Sequence, residues 1–212
     1  MGKEKNKYYV VWKGLNPGIY KSWSDCQKQI NGFEGAKYKG FKKYETAIDA
    51  FKKGPGDYWG KDFYETTLTK EQLAKIGSPI KNSVAVDAAW NVGNLEMEYQ
   101  GVMTDSGELL FHKGPFQDGT NNTGEFLAIV HALAYLKKQN SDLPIYSDSR
   151  NAISWVKDKE HRSRLQMTEN NKELFVLLER AVSWLKNNSF PNKILKWETK
   201  AWGENPADFG RK

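Results

Sequence analysis

The sequence has few of the residues that several common kinds of protein need. Its 212 residues include one cysteine, Cys26, which excludes a disulfide framework and a cysteine-based zinc site and favours a reducing, cytoplasmic compartment. No apolar run approaches the roughly 20 residues of a membrane-spanning helix, so we expect no membrane association. The charged N-terminus is followed only by the apolar segment YYVVW, which is too short for the core of a signal peptide.

Several familiar catalytic patterns are also missing. The sequence contains neither a G-x-S-x-G turn for a serine nucleophile nor a glycine-rich phosphate loop of the Walker type. Cys26 has no histidine near it, and the three histidines, His112, His131 and His161, lack metal-ligand spacing. We expect His131 to be structural, because it lies beside the apolar stripe of a predicted helix. We expect His161, in the polar segment DKEHRSR, to be a solvated surface residue.

Positive charge, by contrast, is concentrated at one end of the chain. The formal net charge is +6, and residues 1–53 hold 12 lysines against 5 acidic residues, whereas the rest is nearly balanced. Tyr9, Trp23, Tyr38 and Phe41 lie among these lysines, an arrangement that supports stacking on bases or sugars beside phosphate contacts. The alternatives are a solvated lysine-rich surface and a small aromatic core. The asymmetry predicts a polyanion-binding module joined to a second unit.

The pattern of apolar residues predicts two folded units. Residues 1–53 read as a small α/β module with strands in KYYVVWKG, GIYKSW and AKYKGF, a helix capped by Ser24, and a closing helix in YETAIDAFKK. Residues 54–82 begin with Gly-Pro-Gly and end near Gly-Ser-Pro, which predicts a linker. A short helix starting at Thr69 is expected within it.

Residues 83–212 are predicted to form a second α/β unit. SVAVDAAW, LEMEYQGVMT and GELLFHKGPF read as an antiparallel meander, in which Leu95, Met97 and Tyr99 share one face. Helical spacing follows in TGEFLAIVHALAYLKKQ, with an apolar stripe of Phe126, Ile129, Val130, Leu133 and Leu136. Then come a strand (LPIYS), two helices (SRNAISWVKDK and NKELFVLLERAVSWLKNN), a strand (NKILKWET) and a short tail helix (NPADFG). This order predicts a mixed sheet with helices packed on its faces.

Four acidic residues of this second unit have surroundings that suit metal ligands: Asp87, Glu125, Asp148 and Asp208. Each also has a structural alternative. Asp87 could be a surface residue at a strand end, and Glu125 could form a capping box with Asn122. Asp148 could cap the following helix, and Asp208 could lie in the first turn of the tail helix.

Taken together, the four acids favour a metal site. Asp87 and Asp148 lie near the carboxyl ends of apolar strands, where open sheets place their ligand crevice. Clustered carboxylates repel one another unless cations neutralise them, and Mg²⁺ or Mn²⁺ takes oxygen ligands. If the fold gathers all four, they can hold two such ions, and two-metal sites cleave phosphodiesters.

The same segments resemble bacterial type 1 ribonuclease H with an N-terminal hybrid-binding domain. The segments that carry the resemblance cover nearly the whole chain outside the linker: YYVVWKGLNPGIYKSWSDCQKQINGFEGAKYKGF, VD at 86–87, TNNTGEFLAIVHAL, IYSDS and WGENPADFGRK. The resemblance implies a ribonuclease H-like mixed five-stranded sheet flanked by helices, with a small α/β hybrid-binding domain before it. The implied boundaries are 1–53 for the hybrid-binding domain, 54–82 for the linker and 83–212 for the catalytic domain.

The resemblance further implies an endonuclease that hydrolyses the RNA strand of RNA–DNA hybrids and leaves 5′-phosphate and 3′-hydroxyl ends. Asp87 would bridge two Mg²⁺ or Mn²⁺ ions. Asp208 would complete the ion that orients the attacking water, and Glu125 and Asp148 would hold the ion near the leaving oxygen. Glu204 matches an acidic residue that assists product release in some relatives. The implied enzyme is monomeric and binds RNA–DNA hybrid.

Other positions match residues that contact substrate in the family. Asn121 would contact the RNA 2′-hydroxyl, the group that distinguishes RNA from DNA. The residues that would grip a phosphate of the DNA strand are Thr120, Asn122, Ser163 and Thr199. Trp155 would pack on a DNA-strand sugar, with a core aromatic as the alternative. The hybrid contacts of the N-terminal module would be Tyr9, Trp23, Tyr38 and Lys39.

The chain departs from the family pattern at two places near the acids. Many relatives carry a glycine- and serine-rich turn after the first aspartate, whereas this chain has AAWN at 88–91, with the bulky Trp90. Arg150 replaces a glutamine two residues after Asp148. Two other functions stay open: a non-catalytic protein that binds hybrids or double-stranded RNA, and a DNA recombinase or resolvase of related fold. The complete set of acids favours an enzyme, and the TNN segment before Glu125 favours RNA.

Overall fold

The computed structural model describes residues 6–60, 64 and 66–210. The chain divides into two units, Met1–Thr67 and Leu68–Lys212. Within the described part, no helix is both long and apolar enough to cross a membrane.

The N-terminal unit is a three-stranded antiparallel sheet with helices packed on it. Its strands are β1 (Tyr8–Lys13), β2 (Gly18–Tyr20) and β3 (Lys37–Phe41), with β1 in the centre. Helix α1 (Trp23–Ile30) follows β2, and helix α2 (Tyr44–Lys53) follows β3. A single 3-10 turn, Pro55–Asp57, comes next.

Helix α1 begins earlier than the sequence predicts. The side chain of Ser22 accepts a hydrogen bond from the amide of Asp25 at 3.1 Å, and its hydroxyl donates to the Asp25 carboxylate at 2.7 Å. This reciprocal pair makes Ser22 the N-cap. The prediction of Ser24 as the cap is therefore wrong, and Trp23 is the first residue of the helix rather than the last of a strand.

Apolar residues fill both faces of this small sheet. Val10 and Phe41 pack with Ala47 of α2 and with Tyr58, whereas Val11, on the alternate face, is buried, as is Cys26 of α1. Tyr58 belongs to the region predicted as a linker, and its ring stacks on Trp12 with centroids 6.2 Å apart. The chain therefore stays packed on the N-terminal unit at least as far as Tyr58.

The second unit contains a five-stranded sheet and five helices in the described part of the chain. Its first segment is helix α3 (Lys70–Ile76), which begins after Thr69 as predicted. The strands are β4 (Val84–Asn91), β5 (Glu96–Met103), β6 (Leu109–Phe116), β7 (Ile145–Ser147) and β8 (Ile194–Lys196). The other helices are α4 (Asn121–Lys138), α5 (Arg150–Asp158), α6 (Lys172–Asn187) and α7 (Thr199–Trp202).

The strand order β6-β5-β4-β7-β8 confirms the predicted mixed sheet. Strands β4, β5 and β6 form the antiparallel meander, and β7 and β8 run parallel to β4. The main core lies between this sheet and the helices, and all five residues of the predicted apolar stripe of α4 are buried in it. A smaller apolar cluster covers the other face, with Ala85, Tyr146 and Trp197 among its members.

Two local predictions fail in this unit. The tail segment NPADFG does not form a helix: the amide of Asp208 donates to the carbonyl of Asn205 at 2.8 Å, which closes a turn at Pro206 and Ala207. Leu95 does not share the buried face with Met97, because it precedes β5 in the connecting turn, where its φ is +57° and its side chain is exposed.

The second half of the predicted linker packs on this unit. The indole nitrogen of Trp202 donates to the carbonyl of Gly77 at 2.8 Å, and the amide of Ile80 donates to the hydroxyl of Tyr146 at 3.1 Å. These bonds attach the segment after α3 to the sheet. The domain boundaries at 53 and 83 stay predictions.

Candidate active site

Three of the four acids meet where β4, α4 and β7 come together. Asp87 lies within β4, Glu125 in the first turns of α4, and Asp148 directly after β7. Each offers one carboxylate oxygen, and these oxygens all lie within 4.8 Å of one another. Carboxylates at this separation can coordinate one cation together.

The start of α4 places Glu125 in this group. Thr120 is the N-cap, and its side chain forms a capping box with Thr123. The alternative role of Glu125, a capping box with Asn122, is therefore wrong. An added Cβ on Gly124 would lie 2.7 Å from Ala88 Cβ and 2.7 Å from Met97 Sδ. The glycine lets α4 approach β4 closely, which brings the neighbouring Glu125 next to the strand of Asp87.

The end of β7 places Asp148. Ser149 is the N-cap of α5, and its Oγ accepts from the amide of Ala152 at 3.2 Å. The alternative role of Asp148 as the helix cap is therefore wrong, and its carboxylate is available to the site. The hydroxyl of Ser147 donates to Glu125 Oε2 at 3.2 Å and accepts from the amide of Ser149 at 3.1 Å. This bridge fixes Glu125 relative to the segment that carries Asp148.

Asp208 follows a turn that two hydrogen bonds attach to the sheet, one at the residue before Asp87 on β4 and one at the residue opposite Asp87 on β5. Asn205 Nδ2 donates to the carbonyl of Val86 at 2.8 Å. Gln100, which pairs with Asp87 across β4 and β5, donates from Nε2 to the carbonyl of Ala207 at 2.7 Å. Because no helix forms here, the alternative role of Asp208 in a helical first turn is wrong. Asp208 and Asp87 line one cleft.

Burial dominates the electrostatics of the acids. The exposed fraction of Asp87 is 9% and that of Glu125 is 1%. Burial raises the pKa of Asp87 to about 7, and the nearby Asp148 and Asp208 carboxylates also raise it. Burial and then the charge of Asp87 raise the pKa of Glu125 well above its usual value. Without a cation, this pair therefore retains protons at pH values where isolated carboxyls are ionised.

The pKa of Asp148 is subject to opposing effects. Burial raises its pKa, the charge of Lys196 lowers it, and the charges of Asp208 and Glu204 raise it again. Asp208 and Glu204 are thus close enough to Asp148 to interact electrostatically with it. The donors are all carboxylate oxygens that repel one another when ionised, so the residues present fit hard divalent cations such as Mg²⁺ or Mn²⁺.

A cleft of about 460 Å³ opens from Asp87 and Asp208 along the last residues of β4 and the first residues of β5. Its lining includes two further acids, Glu96 and Glu98, and two aromatic side chains, Trp90 and Phe209. Among the described residues that line it there is no lysine or arginine. Because of these acids, we call it the acidic cleft.

A second groove, of about 690 Å³, lies at the start of α4. It gathers four residues predicted to contact the DNA strand and adds two arginines: Thr120, Asn122, Trp155, Ser163, Arg162 and Arg164. Asn121, predicted to contact the 2′-hydroxyl, is the exposed first residue of α4. Thr199 is not among the described residues that line this groove; it is the first residue of α7.

Two aromatic side chains behind this groove differ in how well the sequence anticipates them. Trp155 is 8% exposed, and its ring centroid lies 6.1 Å from that of Phe126. It is therefore a core aromatic, the alternative considered for it, although it also lines the groove. His161 is not a solvated residue: its ring packs 6.2 Å from Phe126 and 6.4 Å from Trp155. Its Nδ1 is buried without a hydrogen-bond partner in the described part of the chain.

His131 is structural, as predicted. Its ring stacks on Phe111 with centroids 4.0 Å apart. Burial lowers the pKa of His131 to about 4, and the charges of Lys113 and Lys138 act in the same direction. His131 is therefore neutral at physiological pH.

In the N-terminal unit, three of the four residues predicted to bind hybrid form one exposed group. The ring of Trp23 lies 5.5 Å from that of Tyr9 and 5.6 Å from that of Tyr38, and the exposed fraction of Trp23 is 42%. Lys39 does not join them. It follows Tyr38 on the strand and so points to the other face, where its ammonium group donates to the carbonyl of Tyr58 at 2.8 Å.

Sequence reasoning missed the residues that position the acids: Gln100, Gly124, Ser147 and Asn205. The Asn-Pro pair at 205–206 is a turn signal that could have shown that the tail is not helical. Gln100 is one polar residue in an alternating strand, and nothing in the sequence distinguishes it from its neighbours.

Known proteins match both units. Residues 7–51 match the family described as ribonuclease H1 N-terminal domain, and residues 81–196 match the family described as RNase H. A ribonuclease H of Schizosaccharomyces pombe is 21% identical over 263 aligned residues, which cover 99% of this chain and 97% of that protein. A ribonuclease H of Saccharomyces cerevisiae is 45% identical over 47 residues, covering 22% of this chain and 13% of that protein.

Among solved structures, RNase H1 from the archaeon Halobacterium salinarum is similar over 54% of this chain and 83% of its own, with 18% identity and a TM-score of 0.35. The match to the second family includes Asp87, Glu125 and Asp148 and ends before Asp208.

Proposed function

The chain belongs to the ribonuclease H family, whose activity is hydrolysis of the RNA strand of RNA–DNA hybrids, and we propose that Asp87, Glu125, Asp148 and Asp208 are its catalytic residues. The observation that carries this proposal is the convergence of three carboxylate oxygens within 4.8 Å of one another, with Asp208 facing the same cleft. Two of these carboxyls are almost fully buried. Burying carboxyl groups costs stability, so their burial together favours a functional role over a structural one.

We propose that the four acids hold two divalent ions, with Mg²⁺ or Mn²⁺ as the candidates. Asp87 is proposed to share both ions. In support, it belongs to the close group with Glu125 and Asp148 and also lines the cleft with Asp208. When bound, such a pair of cations lowers the pKa of the attacking water and neutralises charge on the leaving oxygen. Glu204, whose charge acts on Asp148, is proposed to assist product release from the edge of the site.

The chain's own residues orient the reaction. Ser147 holds Glu125 by its hydroxyl, and Asn205 and Gln100 hold the turn of Asp208 against the strand of Asp87. Preorganised carboxylates need little rearrangement as the reaction proceeds. In-line attack of water on the phosphodiester then leaves 5′-phosphate and 3′-hydroxyl ends.

The groove at the start of α4 suits the DNA strand. Thr120, Asn122 and Ser163 offer hydroxyl and amide donors, and the start of a helix attracts phosphate. Asn121, exposed beside them, is proposed to contact the RNA 2′-hydroxyl. For Thr199 the proposal rests on the family resemblance alone.

Hybrid binding by the N-terminal unit is proposed to occur at Tyr9, Trp23 and Tyr38. These rings can stack on sugars or bases, and the excess of lysines in residues 1–53 can neutralise phosphates. Lys39 is placed on the opposite face and is not proposed to share this contact. We further propose a monomeric enzyme of the bacterial type. Its single cysteine, Cys26, is buried and free, which is in keeping with a cytoplasmic location.

One assay tests the function. Labelled RNA–DNA hybrid, duplex RNA and duplex DNA of one sequence are incubated with the protein in Mg²⁺, Mn²⁺ or EDTA. The expected result is cleavage of the hybrid's RNA strand alone, dependent on either cation, with 3′-hydroxyl ends that a polymerase can extend. Hybrid binding without cleavage would instead indicate a non-catalytic binding protein, and cleavage of duplex DNA would indicate a recombinase or resolvase.

A further inference from the structure

Three neighbouring strands contact the turn that leads to Asp208. The contacts from β4 and β5 are the hydrogen bonds at Asn205 and Ala207 described above. The third contact comes from β6, where the ring of His112 lies 6.0 Å from that of Phe209, with an angle of 61° between the two planes. Edge-to-face contacts between aromatic rings are favourable. Because Phe209 directly follows Asp208, this contact supports the far end of the turn.

Pairing across the sheet explains how His112 reaches the turn. Gln100 on β5 pairs with Asp87 on one side and with His112 on the other. The side chains of directly paired residues point to the same face of a sheet. His112 therefore lies on the face that carries Asp87 and that the turn covers.

His112 is itself held in place by Glu98, which lines the acidic cleft. The ring nitrogen Nε2 of His112 donates to Glu98 Oε2 at 2.7 Å, since a carboxylate oxygen is the acceptor of such a pair. The exposed fraction of the side chain is 12% for Glu98 and 37% for His112, so the more buried carboxylate anchors the more exposed ring. The imidazole is thus fixed on one edge while it packs on Phe209.

Phe209 connects this support to the carboxylate of Asp208. The amide of Gly210 donates to Asp208 Oδ1 at 2.6 Å, so the residues on either side of Phe209 form a small turn that the carboxylate itself closes. The orientation of the Asp208 carboxylate therefore depends on the backbone at Phe209. A shift of the Phe209 ring would turn this carboxylate relative to Asp87, which lines the same cleft.

We propose that His112, held by Glu98, is a positioning residue that orients the Asp208 carboxylate for metal binding through the ring of Phe209. The proposal rests on the role of Asp208 as a metal ligand given above. Contacts that orient a metal ligand contribute to metal affinity, and their loss typically lowers it by about 10–100-fold. Because His112 acts on the ligand and not on the nucleic acid, its loss should leave the binding of hybrid unchanged.

Calorimetric titration with Mn²⁺ measures the effect without substrate. Wild type, His112→Ala and Leu109→Ala are titrated as full-length proteins at pH 8. His112→Ala is expected to lower the affinity for Mn²⁺ by about tenfold. Leu109→Ala should bind Mn²⁺ as wild type does, because Leu109 is an exposed residue of the same strand and is not among the described residues that line the acidic cleft. Equal affinity in all three proteins would overturn the proposal.

Double variants show whether the effect passes through Phe209 and Asp208. Once Asp208→Asn has removed the carboxylate, His112→Ala should cause no further loss of Mn²⁺ affinity. Once Phe209→Ala has removed the ring, His112→Ala should again cause no further loss. Coupled residues behave in this way, whereas independent sites give losses that add. Additive losses in either pair would indicate that His112 acts on the sheet in general, and would overturn the proposal.

Cleavage of labelled hybrid gives a second measurement. In His112→Ala, the Mg²⁺ concentration for half-maximal cleavage should rise by about tenfold, while KM for hybrid at saturating Mg²⁺ stays as in wild type. A raised KM with an unchanged Mg²⁺ requirement would make His112 a substrate contact and would contradict the proposal.

The outcomes separate this proposal from the proposed function. If Asp208→Asn cleaves hybrid and binds Mn²⁺ as wild type does, the catalytic role of Asp208 fails. If Asp208→Asn is inactive while His112→Ala behaves like Leu109→Ala in both measurements, only the positioning role of His112 is rejected.

Discussion

The side-chain amide of Asn205 donates to the main-chain carbonyl of Val86 at 2.8 Å and so joins two segments 119 positions apart. Strand β7 pairs with β4 only at Val84 and Ala85, so Asn205 bonds β4 one residue beyond that pairing. The bond also holds two of the acids near each other, because Val86 precedes Asp87 and Asn205 begins the turn that ends at Asp208.

Replacing Asn205 with alanine is expected to weaken metal binding more than it weakens the fold. The carbonyl of Val86 would lose its buried partner, which costs about 1–3 kcal/mol of unfolding free energy. The turn of Asp208 would loosen, and loss of such a supporting contact typically lowers metal affinity by about 10–100-fold. Cleavage rates across a Mg²⁺ titration and urea unfolding measure the two effects. Asn192→Ala is the control, because it removes another buried side-chain amide that donates to main-chain carbonyls, those of Ser141 and Leu143 before β7. An unchanged Mg²⁺ requirement in Asn205→Ala would contradict the expectation.

Asp148→Asn is expected to abolish cleavage while preserving hybrid binding. The amide has nearly the same shape as the carboxylate but removes one charge from the metal site, so activity should fall by more than about 100-fold. Cleavage of labelled hybrid and a gel-shift assay at moderate salt measure activity and binding separately. Asp142→Asn, at an exposed position just before β7, should behave as wild type. Normal turnover by Asp148→Asn would remove this residue from the catalytic set.

The stability that Asp87 and Glu125 contribute to the metal-free protein should fall as the pH rises from about 4 to 8. Buried His131 contributes with the opposite sign at the acid end of this range, because its pKa is lowered to about 4. Burial raises the pKa of Asp87 to about 7, so between its unfolded pKa and that value the folded state binds a proton that the unfolded state has lost. The raised pKa of Glu125 acts in the same direction. Thermal unfolding of wild type and Asp87→Asn in EDTA at a series of pH values isolates the contribution of Asp87, since both proteins carry His131; the Tm of wild type should fall relative to that of the variant as the pH rises. Added Mg²⁺ should stabilise the protein most at the alkaline end, where the ligands are deprotonated. A difference in Tm between the two proteins that stays constant across this range, or that changes in favour of wild type as the pH rises, would contradict the expectation.

Gly124→Ala is expected to reduce activity by moving α4 away from β4. The new methyl group would meet Ala88 Cβ and Met97 Sδ, each at 2.7 Å, and overpacking of this kind costs about 1–3 kcal/mol. Glu125 would move with the helix, so kcat should fall as well as Tm. Adding Ala88→Gly removes one of the two clashing atoms and should recover part of both losses.

Gly56→Ala is the matched control for that substitution, because nothing lies within 4 Å of the position where its Cβ would be. If Gly124→Ala leaves kcat unchanged, the close approach of helix and strand does not position Glu125.

Trp23→Ala should weaken hybrid binding and leave slow cleavage. Trp23 lies between Tyr9 and Tyr38, so its removal breaks the exposed aromatic group, and one lost stack weakens nucleic-acid binding by about tenfold. Gel-shift titration and cleavage at limiting substrate measure the effect. Phe51→Ala, an exposed aromatic change on α2, is the control. Equal hybrid affinity in Trp23→Ala and wild type would reject the aromatic group as a binding surface.

Much of the fold could be predicted from the sequence because its signals are local. Alternating apolar residues identify β4 and β5, helical spacing identifies α4, and Thr69 with Gln72 marks the start of α3. The errors are local as well. Ser22 and Ser24 are equivalent as caps in sequence, and only the reciprocal bond of Ser22 with Asp25 distinguishes them. Leu95 continues the alternation of β5, but the turn before that strand already includes it.

His161 shows a different kind of error. It lies in a polar segment, and polarity alone predicts exposure. Its actual neighbours, Phe126 and Trp155, come from α4 and α5, which approach it only in the folded unit.

By itself, the sequence determined the two-unit organisation, the strands and helices, and the types of residue from which a metal site could be made. Only the tertiary structure decided that Asp87, Glu125 and Asp148 meet and that Asp208 faces them from a turn. The reason is that each acid had an equally good local role as a cap or surface residue. Those roles were removed by Thr120, Ser149 and a turn at Pro206, and by packing between segments that lie far apart in the chain.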